Sequence, residues 1–290
     1  MYPLLYLSIC AVVTSMEVYR LDLGYEYNST INLAWELPQG NYDTNLTFHA
    51  FWSGTLNEKH LISIKSCYQF NVKGRSNRKI ILWVNTVSDD SVSNTIKNYA
   101  YIQQFNFNTE VAGTPFENKQ YHVRTEPGYF SDIVRYIILY KYGGFWFDLD
   151  MFFLRSIDPV LLSFGDRIIV YNWSGANWPN GAIFFNPYAF NPKMKHFIEY
   201  MIARRRGFGF QESNLTYDNP VDLFVLPCSW FDSWFIYTLY SVNIMIDTDS
   251  IYTFKNFSYG SFTYHWHNKW DQPIGPHSIL RQLSNLLTEC

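Results

Sequence analysis

Apolar residues recur at helical spacing near the middle of the chain and are followed by a shorter apolar run. The helical stripe consists of Ile133, Val134, Ile137 and Ile138. It predicts an amphipathic helix, for which Ser131 is a suitable N-cap and Asp132 a favourable first-turn residue. The Phe-Trp-Phe sequence at residues 145–147 predicts a short buried strand after this helix.

Two glycines separate the predicted helix from the strand, and two aspartates follow the strand. We expect Gly143 and Gly144 to end the helix, because glycine adopts the left-handed C-terminal conformation without steric cost. Side chains two positions apart on a strand share a face, so the carboxylates of Asp148 and Asp150 can reach one hard cation. A cation held by so few carboxylates keeps open positions that suit phosphate oxygens.

An Asp-x-Asp pair of this kind indicates a sugar-nucleotide site, where the cation neutralises charge on the departing diphosphate. The pair alone has little specificity, since Asp247 and Asp249 repeat the spacing without a preceding helix or glycine pair. We interpret that second copy as a turn at a strand end. Asp148 and Asp150 are therefore the candidate catalytic and metal-binding residues.

Strand and helix patterns on both sides of this block predict an α/β fold with a parallel βαβ unit near its start. Strands are expected at residues 49–54, 80–84, 167–171 and 180–185, and helices at residues 62–70 and 194–201. Ligands of such sheets bind beyond the carboxyl ends of the strands. Trp52 is therefore a candidate contact for the donor base, with a position in the core as the alternative.

Composition changes this picture little. The chain has 290 residues, enough for one large α/β domain, and its net charge of −3 gives no indication of a nucleic-acid partner. Aromatic residues make up 20% of the chain, which fits a large aromatic core or stacking on sugar and base faces. The cysteines at positions 10, 67, 228 and 290 do not by themselves define a disulfide pairing.

The beginning of the chain predicts entry into the secretory pathway. Residues 1–16 contain an apolar run of signal-peptide length, but no lysine or arginine precedes it, so a weak signal anchor or a buried strand stays open. Residues 17–48 are polar and rich in turn formers, which predicts an N-terminal arm before a domain at 49–290. Glycosylation sequons give slight further support and begin at Asn28, Asn45, Asn172, Asn214 and Asn256.

The whole central block resembles the sugar-nucleotide-binding block of the Asp-x-Asp glycosyltransferases with the GT-A fold. Those families share Ser-Asp, an arginine three residues later, Gly-Gly and Asp-x-Asp. The matching residues here are Ser131, Asp132, Arg135, Gly143, Gly144, Asp148 and Asp150. The resemblance implies a GT-A-like α/β fold, with a mixed, mostly parallel sheet flanked by helices.

The same resemblance assigns roles in binding the donor. Asp132 and Arg135 are expected to bind the sugar hydroxyls and the phosphate, although an i, i+3 ion pair on a helix surface is the alternative. Gly143 and Gly144 belong to the same donor-binding block. Asn180, in Asn-Gly-Ala before a predicted strand, also follows the glycosyltransferase pattern.

The C-terminal third is similar to the α1,4-galactosyltransferase and α1,4-N-acetylglucosaminyltransferase branch of glycosyltransferase family 32. The similarity rests on Phe-Val-Leu-Pro at residues 224–227, on Trp230 and Trp234, and on the sequence His-Trp-His-Asn at residues 265–268. Two departures lie near the expected acceptor and metal contacts. The family's Gly-Pro is represented only by Asn219-Pro220, and its His-x-Trp-Asn has a second histidine, His267.

The branch implies a retaining enzyme that uses Mn²⁺, or alternatively Mg²⁺, and a nucleotide-sugar donor such as UDP-galactose or UDP-N-acetylglucosamine. The acceptor would be a glycan or glycolipid, in the Golgi lumen or associated with its membrane. Aligning the family's histidine with His265 makes that residue the expected third metal ligand and His267 its neighbour. Two other functions stay open: a glycan-binding relative without activity, and an Asp-x-Asp phosphohydrolase.

Overall fold

The computed structural model describes residues 27–118, 127–172, 179–204, 223–232, 243–258 and 260–289. The predicted leader, the sequon at Asn214, the Asn219-Pro220 pair and Trp234 lie outside these residues. The strands are β1 (Leu46–Trp52), β2 (Arg78–Val84), β3 (Tyr101–Gln104), β4 (Gly144–Phe147), β5 (Met151–Phe153), β6 (Ile168–Asn172), β7 (Pro179–Asn186), β8 (Leu223–Leu226) and β9 (Thr263–His265). The helices are α1 (Tyr27–Glu36), α2 (Glu58–Cys67), α3 (Ser91–Ile96), α4 (Phe107–Val111), α5 (Pro127–Tyr142), α6 (Asp158–Phe164), α7 (Pro192–Arg204), α8 (Cys228–Phe231), α9 (Phe254–Ser258) and α10 (Ile279–Glu289).

Seven strands form one sheet in the order β3-β2-β1-β4-β7-β6-β8. Four neighbouring pairs are parallel, and only β7 runs against its neighbours β4 and β6 within this sheet. The carboxyl ends of the other six strands therefore meet at one edge, which we call the carboxyl edge. This mixed, mostly parallel sheet flanked by helices confirms the predicted fold.

Each face of the sheet carries its own hydrophobic cluster. Alternate residues of β2 show the division, because Ile80 and Leu82 point into one cluster and Trp83 into the other. Helices α1 and α2 cover the first face, while α5 and α7 cover the second. A two-stranded sheet of β5 and β9 packs with α10 into a third cluster beside the carboxyl edge.

The N-terminal arm is part of the fold from residue 27 onward, which corrects the predicted boundary at residue 49. Ile31 and Ala34 of α1 are fully buried in the first cluster, and Leu37 follows them. Strand β1 begins at Leu46, so the predicted boundary falls inside a strand. These few apolar residues are spread among polar ones, and the resulting helical stripe is weak in the sequence.

Two predicted helices begin earlier than expected. Helix α2 starts at Glu58, because Asn57 and His60 form a reciprocal capping box, and a π-helical turn extends it through Val72. Helix α5 starts at Pro127, so Ser131 lies inside the helix and is not its N-cap. Proline is favoured at the first helical position, where its missing N–H is not needed. Among the described residues, no helix is both long and apolar enough to cross a bilayer.

Candidate active site

The glycine pair joins α5 to β4 with a left-handed backbone. The φ angle is 64° at Gly143 and 92° at Gly144. A Cβ on Gly144 would lie 2.4 Å from the carbonyl oxygen of Thr47, and one on Gly143 would lie 2.9 Å from the backbone of Tyr188. Only glycine therefore fits this connection, which places β4 directly beside β1.

The glycines lie at the opposite end of β4 from the aspartates, and their part in donor binding stays a prediction. Gly144 opens β4, whereas Asp148 follows the last residue of that strand. Four residues of extended chain separate them by roughly 13 Å. The glycines thus act through the backbone at the far end of the strand, where a Cβ could not be accommodated.

The two aspartates lie in the turn between β4 and β5, so they do not share the face of a strand as the spacing predicted. The turn is closed by a hydrogen bond of 3.0 Å from the N–H of Met151 to the carbonyl of Asp148. Each carboxylate has its own set of partners. The turn sits at the carboxyl edge, where ligands of parallel sheets bind.

Asp148 is held by a buried arginine. Nη2 of Arg135 donates to both carboxylate oxygens of Asp148, at 2.8 and 3.1 Å, and the indole N–H of Trp146 donates to one of them at 2.7 Å. Nη1 of Arg135 also lies 3.0 Å from Asp132. Burial raises the pKa of Asp132 to about 6, and the charge of Asp148 adds to this effect while Arg135 opposes it.

The Arg135–Asp132 pair is therefore not a surface ion pair. The arginine is 5% exposed, and its guanidinium lies 5.4 Å from the ring centre of Trp146. The carboxylates of Asp132 and Asp148 share this guanidinium, so the position of Arg135 and that of Asp148 depend on each other. Donor binding by Asp132 and Arg135 stays a prediction, and positioning of Asp148 is the role that the contacts display.

Asp150 is held by residues from the C-terminal segment. Strand β9 pairs with β5 and places His265 opposite Met151. Nε2 of His265 then lies 3.1 Å from Oδ2 of Asp150, and the backbone N–H of Asn268 donates to the same oxygen at 2.9 Å. Burial on its own would lower the pKa of His265, but the charge of Asp150 raises it above its usual value.

The structure adds an aspartate that sequence reasoning missed. Asp232 follows α8, is 1% exposed, and directs Oδ2 to within 2.9 Å of Nε2 of His267 and 3.8 Å of Nδ1 of His265. The rings of the two histidines stack with centroids 4.0 Å apart. The only sequence signal for Asp232 is its place shortly after the Phe-Val-Leu-Pro sequence at residues 224–227, where β8 ends at the carboxyl edge.

The chain turns sharply after His265. His267 and Asn268 have φ angles of 50° and 58°. This left-handed turn brings the side chain of His267 next to Asp232 and the N–H of Asn268 to Asp150. The histidine-rich segment therefore touches both aspartates through different residues.

Trp52 ends β1 at the carboxyl edge and is only partly buried. Its ring lies 4.1 Å from that of His60 and 4.6 Å from that of Trp270. Burial lowers the pKa of His60 to about 3, so its imidazole is neutral. Nζ of Lys59 donates to the carbonyl of Trp270 at 2.8 Å, which fixes the C-terminal segment to α2. Stacking of Trp52 on a donor base stays a prediction.

Asn180 also lies at the carboxyl edge, near the start of β7. It pairs with Tyr171, and its side-chain oxygen accepts from the N–H of Ala182 at 2.8 Å.

The second Asp-x-Asp lies elsewhere, in a turn where Asp247 bridges to Ser278 and accepts from the N–H of His277 at 2.7 Å. That contact agrees with a structural role for the second copy.

The side chains around the turn offer carboxylate and imidazole groups, which are the donor types that bind divalent cations. Asp148 remains 28% exposed on its side chain and can meet a ligand from solvent. Asp150 and His265 offer a buried carboxylate and an imidazole side by side. Among the described residues, Oδ2 of Asp232 is buried and makes no well-aligned hydrogen bond, although Nε2 of His267 lies 2.9 Å from it. The carboxylate oxygens suit Mn²⁺, and imidazole is a ligand for several divalent transition-metal ions.

Comparison with known proteins identifies the central part of the chain. Residues 58–165 match the family described as "Glycosyltransferase sugar-binding region containing DXD motif". These residues, about a third of the chain, are similar to that region. The match spans α2 to α6 and includes Asp148 and Asp150, but it does not extend to Trp52, Asp232 or His265.

Similar proteins carry glycosyltransferase names. Inositol phosphoceramide mannosyltransferase 3 of Schizosaccharomyces pombe (strain 972 / ATCC 24843) is 58% identical over 31 residues, which cover 11% of this chain and 9% of that protein. The glycosyltransferase GlyE of Streptococcus pneumoniae TIGR4 aligns over 85% of this chain and 60% of its own, with a TM-score of 0.51 and 10% identity. PaToxG glycosyltransferase covers 67% of this chain and 76% of its own, with a TM-score of 0.44 and 16% identity. The GlyE alignment, which covers most of this chain, agrees with the predicted GT-A-like fold.

Proposed function

We propose that this chain is a metal-dependent glycosyltransferase that moves a hexose or N-acetylhexosamine from a nucleotide-sugar donor to a glycan or glycolipid acceptor. The observation that carries the proposal is the Asp148–Asp150 turn at the carboxyl edge, inside the matched sugar-binding region. One aspartate is held by Arg135 and the other by His265.

Asp148, Asp150 and His265 would hold the cation, Mn²⁺ or alternatively Mg²⁺. When bound, the cation supplies charge neutralisation for the departing diphosphate. Arg135 keeps the carboxylate of Asp148 in one orientation, and Asn268 does the same for Asp150 through its backbone N–H. Such fixed orientation lowers the cost of reorganisation during transfer.

Trp52 and Asn180 are proposed to contact the donor beside this turn. Both lie at the carboxyl edge, and Trp52 presents a partly exposed indole that could stack on a base. Retention at the anomeric carbon is also part of the proposal. Asp148, Asp150 and Asp232 each have a cationic or imidazole neighbour, which favours displacement on one face of the sugar over a covalent aspartyl intermediate.

Two similarities suggest candidate donor sugars: the resemblance of the C-terminal sequence and the match to a named relative. The C-terminal sequence favours UDP-galactose or UDP-N-acetylglucosamine, whereas the fission-yeast relative is named as a mannosyltransferase of inositol phosphoceramide. A nucleotide-linked mannose therefore belongs among the candidate donors, and that name also favours a glycolipid acceptor. A thermal-shift screen of these donors with Mn²⁺ should raise the melting temperature for the right one.

Work in the secretory pathway, in the Golgi lumen or at its membrane, is proposed from the N-terminal sequence and the sequons. Asn45 is exposed in the loop before β1 and would be open to glycosylation. Expression of the full chain in eukaryotic cells, followed by endoglycosidase digestion, tests this. A mobility shift supports lumenal passage, and its absence together with a cytosolic location would contradict it.

Release of nucleoside diphosphate from the donor tests the activity itself. We expect acceptor-dependent release with Mn²⁺, its loss in EDTA, and a loss of at least about 100-fold in Asp148→Asn and Asp150→Asn. Asp249→Asn, an exposed aspartate of the second Asp-x-Asp, is the matched control and should keep full activity. Nucleoside diphosphate release that persists in EDTA, or in both variants, would contradict the proposal. A protein that only binds glycans would release no diphosphate.

A further inference from the structure

Asp232 buries a carboxylate behind His265, with imidazole nitrogens as its polar neighbours. Its exposure is 1%, and within the described part of the chain its Oδ2 accepts no well-aligned hydrogen bond. The nearest polar atoms are Nε2 of His267 at 2.9 Å and Nδ1 of His265 at 3.8 Å. A buried carboxylate is costly unless a cation or a donor compensates it.

The separations among these atoms resemble those between ligands of one ion. Metal–nitrogen and metal–oxygen bonds in such sites measure about 2.0–2.2 Å, so neighbouring ligand atoms lie roughly 3.0–3.5 Å apart. The two distances from Asp232 fall close to this range. One ligand atom from each of Asp232, His265 and His267 lies within 4.8 Å of the other two.

We propose that Asp232, His265 and His267 form a cation site of their own, beside the Asp148–Asp150 turn, which takes a nitrogen-preferring transition-metal ion such as Zn²⁺. Two imidazoles and one carboxylate suit Zn²⁺, whereas a pair of carboxylates suits harder ions such as Mg²⁺ and Mn²⁺. The stacked histidine rings present their nitrogens to the same buried carboxylate.

His265 links the new site to the aspartate pair. A neutral imidazole has one nitrogen that can act as a ligand, while the other carries a proton. Nε2 of His265 faces Asp150, and Nδ1 faces Asp232 and the hydroxyl of Tyr171 at 3.2 Å. His265 can therefore be a metal ligand at only one of the two sites at a time. When Nδ1 binds Zn²⁺, Nε2 carries the proton and donates to Asp150, so His265 is no longer a ligand for an ion at the aspartate pair.

Calorimetric titration of the full chain with Zn²⁺ alone, without donor or acceptor, tests the site. We expect one Zn²⁺ per chain and at least about tenfold weaker binding in Asp232→Asn and in His267→Ala. Asp148→Asn should bind as the unaltered protein does. His277→Ala removes an exposed histidine and is the control for adventitious surface binding.

His267→Ala decides the matter if Asp232→Asn fails to fold, because the side chain of His267 is 23% exposed and its removal leaves no large cavity. Undiminished Zn²⁺ binding in His267→Ala would overturn the proposal. So would equal weakening in Asp148→Asn, which would assign the ion to the aspartate pair. Since no donor is present, failure here leaves the proposed transfer activity untouched, and failure of transfer leaves this site untouched.

Discussion

The guanidinium of Arg135 bridges Asp132, one turn earlier on the same helix, and Asp148, in the turn after β4. The two oxygens of Asp148 are 2.8 and 3.1 Å from the same nitrogen of Arg135. This contact ties the end of a strand to the middle of α5. The orientation of the first aspartate therefore depends on a side chain outside the Asp-x-Asp sequence.

Arg135→Lys should lower kcat/KM for transfer by at least about tenfold, because lysine cannot contact both carboxylates with a planar fork. Steady-state kinetics with saturating Mn²⁺ would measure the loss. Arg281→Lys is the matched control, since Arg281 pairs with Glu58 on the surface. Near-normal turnover in Arg135→Lys would show that its contacts stabilise α5 only.

His265→Ala should raise the Mn²⁺ concentration required for half-maximal transfer by at least about tenfold, which corresponds to about 1.4 kcal/mol. His265 is the imidazole beside Asp150, whereas His267 lies next to Asp232. His267→Ala should therefore raise the Mn²⁺ requirement less. Titration of Mn²⁺ against activity compares the two variants, and equal small effects would remove His265 from the set of Mn²⁺ ligands.

Trp52→Ala should raise KM for the donor by about tenfold and change kcat less, since stacking of a base on an aromatic ring contributes about 1–3 kcal/mol. Trp52→Phe keeps an aromatic face and should recover most of the affinity. Donor-dependent kinetics and thermal melts of both variants separate binding from stability. A lower melting temperature with an unchanged KM would place Trp52 in the core cluster with His60 and Trp270.

Gly144→Ala should destabilise the fold by more than about 3 kcal/mol, because its Cβ would overlap the carbonyl of Thr47. Gly74 provides a matched comparison, with a φ angle of 77° and open space around the site of a Cβ. Gly74→Ala should cost only about 1 kcal/mol, the penalty of the left-handed backbone. Urea unfolding of both variants measures the difference, and equal costs would mean that β1 and β4 can separate without loss.

His49 should make the fold sensitive to mild acid. Burial lowers its pKa to about 3, against 6.5 in the unfolded chain. The stability that a neutral His49 contributes is complete above pH 6.5 and is lost as the pH falls toward 3. At pH 5 the loss is about 2 kcal/mol.

His49→Gln should reduce this acid sensitivity while keeping an acceptor for the indole N–H of Trp83, which lies 3.2 Å from Nδ1 of His49. Urea unfolding at pH 7.5 and pH 5 compares the variant with the unaltered chain. His277→Gln, at an exposed position, should leave the pH dependence as it was. A steep loss of stability that persists in His49→Gln would assign it to other groups.

Local patterns were sufficient to predict the central block and most of the main sheet. The glycine pair, the strand at residues 145–147 and the following aspartates are contiguous, so their order in the sequence is also their order in space. The predicted start of α5 was five residues too late, because Ser131 fits an N-cap as well as an interior position. The core role of α1 was missed because Ile31 and Ala34 stand among polar residues.

Asp232 could not be found by the same reasoning. Its contacts depend on the pairing of β5 with β9, on the turn at His267 and on the position of α8. None of these has a local sequence pattern that specifies where it lies relative to the others. The neighbours of the Asp148–Asp150 turn therefore became visible only in three dimensions.

Strand β5 has its partner far along the chain, and this separation sets an order of events during synthesis. Asp150 and the Asn268 N–H that bonds to it are 118 positions apart. Strands β1, β2 and β4 can pair while the ribosome is still translating the remainder, but β5 must wait for β9. We therefore expect Asp150 to stay open to water until β9 has been synthesised, and the enclosure of that carboxylate to be among the last steps of folding.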